Sequence, residues 1–158
     1  MILLPLLLAV AAQKSDRSTD RLPPANALPI EAPSAEQMAL APVLAIAAAR
    51  NAADVLAQVR ADGGVTLVTE ATDGSATVRQ LGWADYAARA GVRVQERLTD
   101  PAVDVDGATA MVWSPYTVTV DNRLDHCGVD HAALVREGGR WRVVTLTHSE
   151  RTTGCGTR

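Results

Sequence analysis

Phenylalanine is missing from this chain, and its only rings besides histidine are three Trp and two Tyr. A core built from it must be filled by Val, Leu, Ala and Met, so each ring needs its own explanation. Cysteine is nearly as scarce. Cys127 and Cys155 are the only two, which excludes a zinc site built from cysteines alone and leaves room for one disulfide. Lysine occurs once, at Lys14. The other basic residues are arginines scattered among acids, and the net charge is −3. With no basic block to neutralise a row of phosphates, nucleic acid is not an expected partner. Long apolar runs are absent as well. The most apolar one, ILLPLLLAVAA at residues 2–12, is too short to cross a bilayer as a helix.

That run ends in small residues, Ala9-Val10-Ala11 or Val10-Ala11-Ala12, ahead of a polar stretch, as at a signal-peptidase site. No Lys or Arg stands before it. Residues 1–12 are therefore expected to be a signal peptide with a truncated charged end, against the alternative of a disordered or anchoring N-terminus. The mature protein is expected to be periplasmic or secreted, with no membrane span. Residues 13–33, QKSDRSTDRLPPANALPIEAP, are polar and proline-rich without a period, which fits a flexible linker. The domain is then residues 34–158.

Ser34-Ala35-Glu36-Gln37 matches a capping box. An Ala- and Leu-rich helical stretch follows to about Arg60, with a break or fresh start expected at Pro42 and an end at Asp62-Gly63-Gly64. Two short strands, GVTLVTE (64–70) and SATVRQL (75–81), flank the turn signal Thr72-Asp73-Gly74. Trp83, Tyr86, Ala87 and Ala90 then recur at helical spacing up to Gly91. From Val92 onward the pattern becomes long strands. Four are expected, at 92–106, 108–120, 123–137 and 140–153, separated by Asp106-Gly107, Asp121-Asn122 and Gly138-Gly139. Helices first and a long antiparallel sheet second is an α+β arrangement.

Three pieces of this C-terminal half, Trp113-Ser114-Pro115-Tyr116, His126-Cys127-Gly128-Val129-Asp130 and Gly139-Arg140-Trp141-Arg142-Val143, resemble bacterial, often exported, proteins of the nuclear transport factor 2-like superfamily, including lumazine-binding-like members. The likeness covers roughly residues 36–155. It implies helices packed on a strongly curved antiparallel sheet, a cone shared with ketosteroid isomerase-like proteins. Isomerases, dehydratases, polyketide cyclases and plain binding modules all use this fold, so the resemblance implies no single activity. It also implies a homodimer through the sheet as one use of the fold, with Val112, Val135 and Leu146 on the outer face.

If Asp121-Asn122 and Gly138-Gly139 are two-residue loops, Trp113 falls opposite Asp130, and Asp130 opposite Thr147. One face then carries Met111, Trp113, Asp130, Ala132, Leu134, Trp141, Val143, Thr145 and Thr147. The other carries Val112, His131, Val135, Arg142, Leu146 and His148. The first set is expected to line a pocket, with Trp83 and Tyr86 closing it from the short helix and Tyr116 as the nearest phenol on the sheet. A small apolar or partly apolar ligand is the expected occupant, with no cofactor and no metal.

Asp130 is the candidate acid or base, because a carboxylate buried beside an indole gains affinity for a proton. The competing readings are a ligand-binding acid without turnover and a structural hydrogen-bond acceptor. His126 and His131 are expected on opposite faces, unable to share a metal ion, and the strand histidines are expected to face solvent. The ladder places Cys127 near residue 150, so a tail bent by Gly154 and Gly156 brings Cys155 within reach, and a disulfide is expected. Two inert thiols remain the alternative.

Overall fold

The computed structural model describes residues 32–156. The leader expected at 1–12 and nearly all of the linker expected at 13–33 lie outside them. Helix α1, Ala35–Ala47, begins with the capping box read from sequence. The Ser34 hydroxyl accepts from the Gln37 amide at 3.2 Å, and the Gln37 side chain accepts from the Ser34 amide at 2.8 Å. Pro42 does not interrupt the helix as expected; it lies inside α1 and is buried. The break falls instead after Ala47, and Asn51 caps a second short helix, α2 (Ala52–Leu56), by accepting from the Asp54 amide at 3.1 Å.

The helix therefore does not run to Arg60. Strand β1, Val59–Glu70, has already begun there and contains the Asp62-Gly63-Gly64 run expected to stop a helix. Those glycines serve a close approach: a Cβ on Gly63 would sit 1.8 Å from the Val144 carbonyl oxygen. The turn at Asp73-Gly74 then leads into β2, Ala76–Gly82, and the Trp83/Tyr86 stripe forms α3, Trp83–Ala87, with both rings buried.

The remaining strands are β3 (Val94–Leu98), β4 (Ala102–Asp106), β5 (Thr109–Val120), β6 (Arg123–Glu137) and β7 (Arg140–Glu150). The single strand expected at 92–106 is thus two. Asp100 takes a left-handed φ of 46° just before Pro101, and both halves pair with β5. All seven strands form one sheet, ordered β2-β1-β7-β6-β5-β3 with β4 also on β5. Pairing is antiparallel except for β1 against β7, which is parallel and joins the early hairpin to the meander. This is an α+β fold of few helices on a large curled sheet. No helix among the described residues is long and apolar enough to cross a membrane.

The hairpin turns lie where the sequence put them. Asp121 and Asn122 have φ of 50° and 62°, and Gly138 and Gly139 have 56° and 79°. The register next to each turn is also the expected one, with Val120 opposite Arg123 and Glu137 opposite Arg140. Farther along, each pair carries one extra residue. Asp125 bulges from β6, so Val118 meets His126, and Val144 bulges from β7, so Ala133 meets Thr145. Because side chains alternate along a strand, a slip of one residue exchanges the two faces.

The consequences correct the expected face. Trp113 lies opposite His131, not Asp130, and is 50% exposed; Met111 is 44% exposed. Thr145 and Thr147 are exposed as well. Val112 and Leu146, expected on an outer, partner-facing surface, are buried in the core, and His148 has moved inside with them. Asp130, Ala132, Leu134, Trp141 and Val143 remain on the buried face as expected. The core joins Ala132, Leu134, Trp141 and Val143 to Val43 of α1, Val55 of α2 and Trp83 and Tyr86 of α3.

Cys127 and Cys155 are bonded, with Cα atoms 5.5 Å apart. Cys127 pairs with Arg151 in a short ladder, one residue beyond the expected position because of the Val144 bulge.

Candidate functional site

The inward face of β3, β5, β6 and β7 brings Glu96, Tyr116, Asp130 and His148 together. Asp130 and His148 face each other across the β6–β7 pair and are 3% and 2% exposed. Their contact, His148 Nδ1 to Asp130 Oδ1, is 2.6 Å. On the other side of the ring, Nε2 lies 2.8 Å from the Tyr116 hydroxyl, and that hydroxyl donates to the Ser149 carbonyl at 2.6 Å. The phenol also stacks on the imidazole, with ring centres 4.6 Å apart. The Glu96 carboxyl, only partly exposed, lies with Asp130 and His148 so that one ligating atom of each is within 4.8 Å of the others.

The end of this chain orients it. A carbonyl only accepts, so the single hydroxyl proton of Tyr116 goes to Ser149, and the Tyr116 oxygen accepts from His148 Nε2–H. One further proton then occupies the short gap between Nδ1 and Asp130. Burial works on each member. Desolvation, reinforced by the charge and hydrogen bonding of Asp130, raises the Glu96 pKa to about 8. Desolvation also raises Asp130 to about 6, against a lowering hydrogen bond from Glu96. It pushes His148 below its ordinary value, favouring the neutral imidazole. Burial and the nearby carboxylates drive the phenols of Tyr86 and Tyr116 upward, so both stay protonated. Proton affinities shifted this far inside one cluster are what acid–base sites display.

A cavity of about 220 Å³ opens beside the cluster. Val55, Val94, Val118 and Val120 are among its apolar walls, and Glu96, Asp125, His126, His148, Tyr86 and Arg89 supply its polar groups. Tyr86 meets the His148 ring edge-on at 5.8 Å. Arg89 lies 5.8 Å over the Tyr86 ring and pairs with Glu150 at 2.8 Å. Burial opposes charge on Glu150, but hydrogen bonds from Arg89 and Thr69 outweigh it and hold its pKa below the ordinary value. His126, inward because of the Asp125 bulge, bonds that aspartate through Nδ1 at 2.8 Å, while its Nε2 is buried without a partner among the described residues.

Two sets of side chains are close enough to share a cation: Glu96–Asp130–His148 and His126–His148–Glu150. In both, His148 already spends its nitrogens on Asp130 and Tyr116, and Glu150 is held by Arg89. A metal ion would have to displace those bonds.

Of the residues singled out from sequence, Asp130, Tyr116 and Tyr86 are brought to the site. Asp130 stands just behind the cavity wall, with His148 and Glu96 in front of it. Trp83 is buried in the core, its ring 6.0 Å from that of Tyr86. Met111, Trp113 and Thr147 face away. His126 and His148 face inward rather than toward solvent, which leaves His131 on the outer face, 5.9 Å from Trp113. Glu96, His148, His126 and Arg89 are the residues that sequence reasoning missed. Glu96 had a signal: Val94, Glu96 and Leu98 share one side of an alternating strand, which puts an acid on an otherwise apolar face. His148 had none, because its orientation depends on the Val144 bulge.

No protein-family model and no curated protein matches the sequence. Solved structures do match the fold at low identity. A protein of unknown function with a cystatin-like fold from Nostoc punctiforme superposes with a TM-score of 0.58 at 11% identity, over 76% of this chain and 95% of that one. A protein of unknown function from Mycobacterium tuberculosis superposes at 0.54 with 22% identity, over 70% and 68%. An NTF2-like protein of unknown function from Shewanella baltica gives 0.49 at 12%, over 73% and 93%. At these identities the likeness shows the fold alone, and the chain shares the fold of the Nostoc protein described as cystatin-like.

Proposed function

We propose that this nuclear transport factor 2-like domain takes a small, partly apolar molecule into its cavity and exchanges a proton with it, as a cofactor-independent isomerase or dehydratase would. The reading is carried by one observation: two carboxyls and an imidazole converge within 4.8 Å at the polar end of a largely apolar cavity. Glu96 is the group that meets the ligand. Its pKa of about 8 lies close to neutral, where an acid or base works best. Asp130, His148 and Tyr116 stand behind it and redistribute charge as Glu96 gains or loses its proton. At about 220 Å³ the cavity is smaller than the roughly 300–1,000 Å³ usual for drug-sized ligands, so the substrate is small. Export to the periplasm or beyond belongs to the same reading; the disulfide and the leader-like residues 1–12 support it.

The test needs no knowledge of the natural substrate. The protein is incubated with cyclohexanone in D₂O, and loss of the α-proton signal is followed by NMR. Exchange above the buffer rate is expected, falling by about a hundredfold or more in Glu96→Gln, with binding-induced shifts retained. Asp130→Asn is expected to slow it as well. Binding without exchange would reduce the reading to a binding domain. Neither binding nor exchange, with cyclohexanone and with other ketones of that size, would remove it.

A second reading, pairing of two copies through the outer sheet face, is favoured by the half-exposed Trp113 beside Met111, two large apolar side chains on one open surface.

A further inference from the structure

A second recess, of about 720 Å³, shares no lining residue with the cavity and lies between α1 and the β6–β7 hairpin. Met38, Ala41 and Pro42 of α1 form its apolar side, and Arg136, Arg140, Trp141 and Arg142 line the other. Among the described residues, no acidic one lines it. Among the described residues, none of the three arginines pairs with a carboxylate, whereas Arg60, Arg89 and Arg93 all do. In a chain of net charge −3, three arginines in a lining with no acid among the described residues form a local positive field that favours an anion.

The recess also has defined internal geometry. Arg136 lies over the Trp141 ring, 5.6 Å from its centroid. Arg142 donates to the Ala57 carbonyl at 3.2 Å, which fixes its position. Trp141 is 8% exposed, and its Nε1–H is buried with no partner among the described residues. A buried indole N–H ordinarily has an acceptor.

We propose that this recess binds an amphiphilic organic anion, an alkyl or aryl carboxylate or sulfonate. The apolar body lies along Met38 and Pro42, and the head group is held by the arginine forks, which suit planar and tetrahedral oxyanions alike. The site goes beyond the proton-transfer cavity and does not depend on it.

The experiment titrates the full ¹⁵N-labelled chain with sodium octanoate and follows the Trp141 indole N–H, assigned through Trp141→Phe. A saturable shift is expected. Arg136→Gln combined with Arg140→Gln should weaken binding at least about tenfold, and 1-octanol should bind at least about tenfold more weakly than octanoate. Both arginines are exposed, so the variant keeps its fold, which a thermal melt verifies. Glu96→Gln should leave octanoate affinity unchanged. No shift at Trp141, equal binding of octanol, or full affinity in the double variant would each overturn the proposal. Loss of octanoate binding in Glu96→Gln would also overturn it, by locating the anion in the cavity.

Discussion

Tyr116 lies directly opposite Gly128, and its hydroxyl reaches past that glycine to bond His148 and Ser149 on the strand beyond. Strand β6 runs between β5 and β7, so a phenol on β5 can touch β7 only where β6 offers no side chain. A Cβ on Gly128 would stand 1.7 Å from the Ser149 carbonyl oxygen, the acceptor that ends the hydrogen-bonded chain.

Gly128→Ala is therefore expected to be costly although it adds one carbon. The obstacle is backbone, which cannot swing aside, so Ser149 must move and the Tyr116 bonds are lost with it. A loss of about 1–3 kcal/mol or more in unfolding free energy is expected, measured by denaturant titration. Stability equal to that of the parent would show that the phenol does not depend on the gap.

The pH dependence of stability isolates Glu96. A carboxyl whose folded pKa lies above its unfolded one keeps a proton that the unfolded chain has already released. Its contribution is therefore whole at low pH and drains away as pH rises toward the folded value, here about 8. Asp130, at about 6, has the same sign but finishes earlier. His148, with a lowered pKa, acts oppositely, since the unfolded imidazole takes up a proton below about 6.5. Between pH 6.5 and 8 the Glu96 contribution dominates, and the melting temperature should fall as pH rises. Glu96→Gln should flatten that slope; an unchanged slope would remove the buried proton from consideration.

The two bulges are tested by comparing tryptophans. Trp83 is 3% exposed, and Trp83→Ala should cost roughly 3–5 kcal/mol. Trp113→Ala should leave the monomer's stability within about 0.5 kcal/mol of the parent. If two copies pair through the outer sheet, Trp113→Ala should also shift sedimentation toward the monomer. A large loss of monomer stability in Trp113→Ala would return that indole to the interior.

The disulfide closes a loop across 28 positions, and in the chain-entropy model it is worth about 3–4 kcal/mol. Replacing Cys127 and Cys155 together with Ser should lower the melting temperature by roughly 10 °C. Parent protein treated with dithiothreitol should melt at the same lowered temperature as the double variant.

Turns, capping and most strands were legible because each rests on a few neighbouring residues: Asp121-Asn122 and Gly138-Gly139 for hairpins, Ser34 with Gln37 for the helix start. The inward-facing Asp130 was legible for the same reason. The partners around it were not. Nothing local marks Asp125 or Val144 as an extra residue, since a bulge is settled by how two strands meet across the sheet. Propensity failed at Pro42, where tertiary packing carries the helix through the ring. It failed again at Gly63-Gly64, where the need for close approach to β7 outweighs the tendency to turn. The parallel pairing of β1 with β7 joins residues some eighty positions apart, and no short pattern announces it.

Val144 has a consequence for how such a domain can diverge. Loss of that one codon would straighten β7 and turn nothing over, since Val143, Leu146 and His148 would stay inside with Thr145 and Thr147 outside. One residue gained between Leu146 and Thr147, with no bulge to absorb it, would instead deliver the imidazole at 148 to the outside, and Thr147 and Ser149 would replace it within. The backbone trace would barely change, while the interior would exchange a proton-handling group for two hydroxyls. In this architecture a bulge decides whether a reading-frame-preserving change in β7 is silent or recasts the cavity more thoroughly than any single substitution inside it.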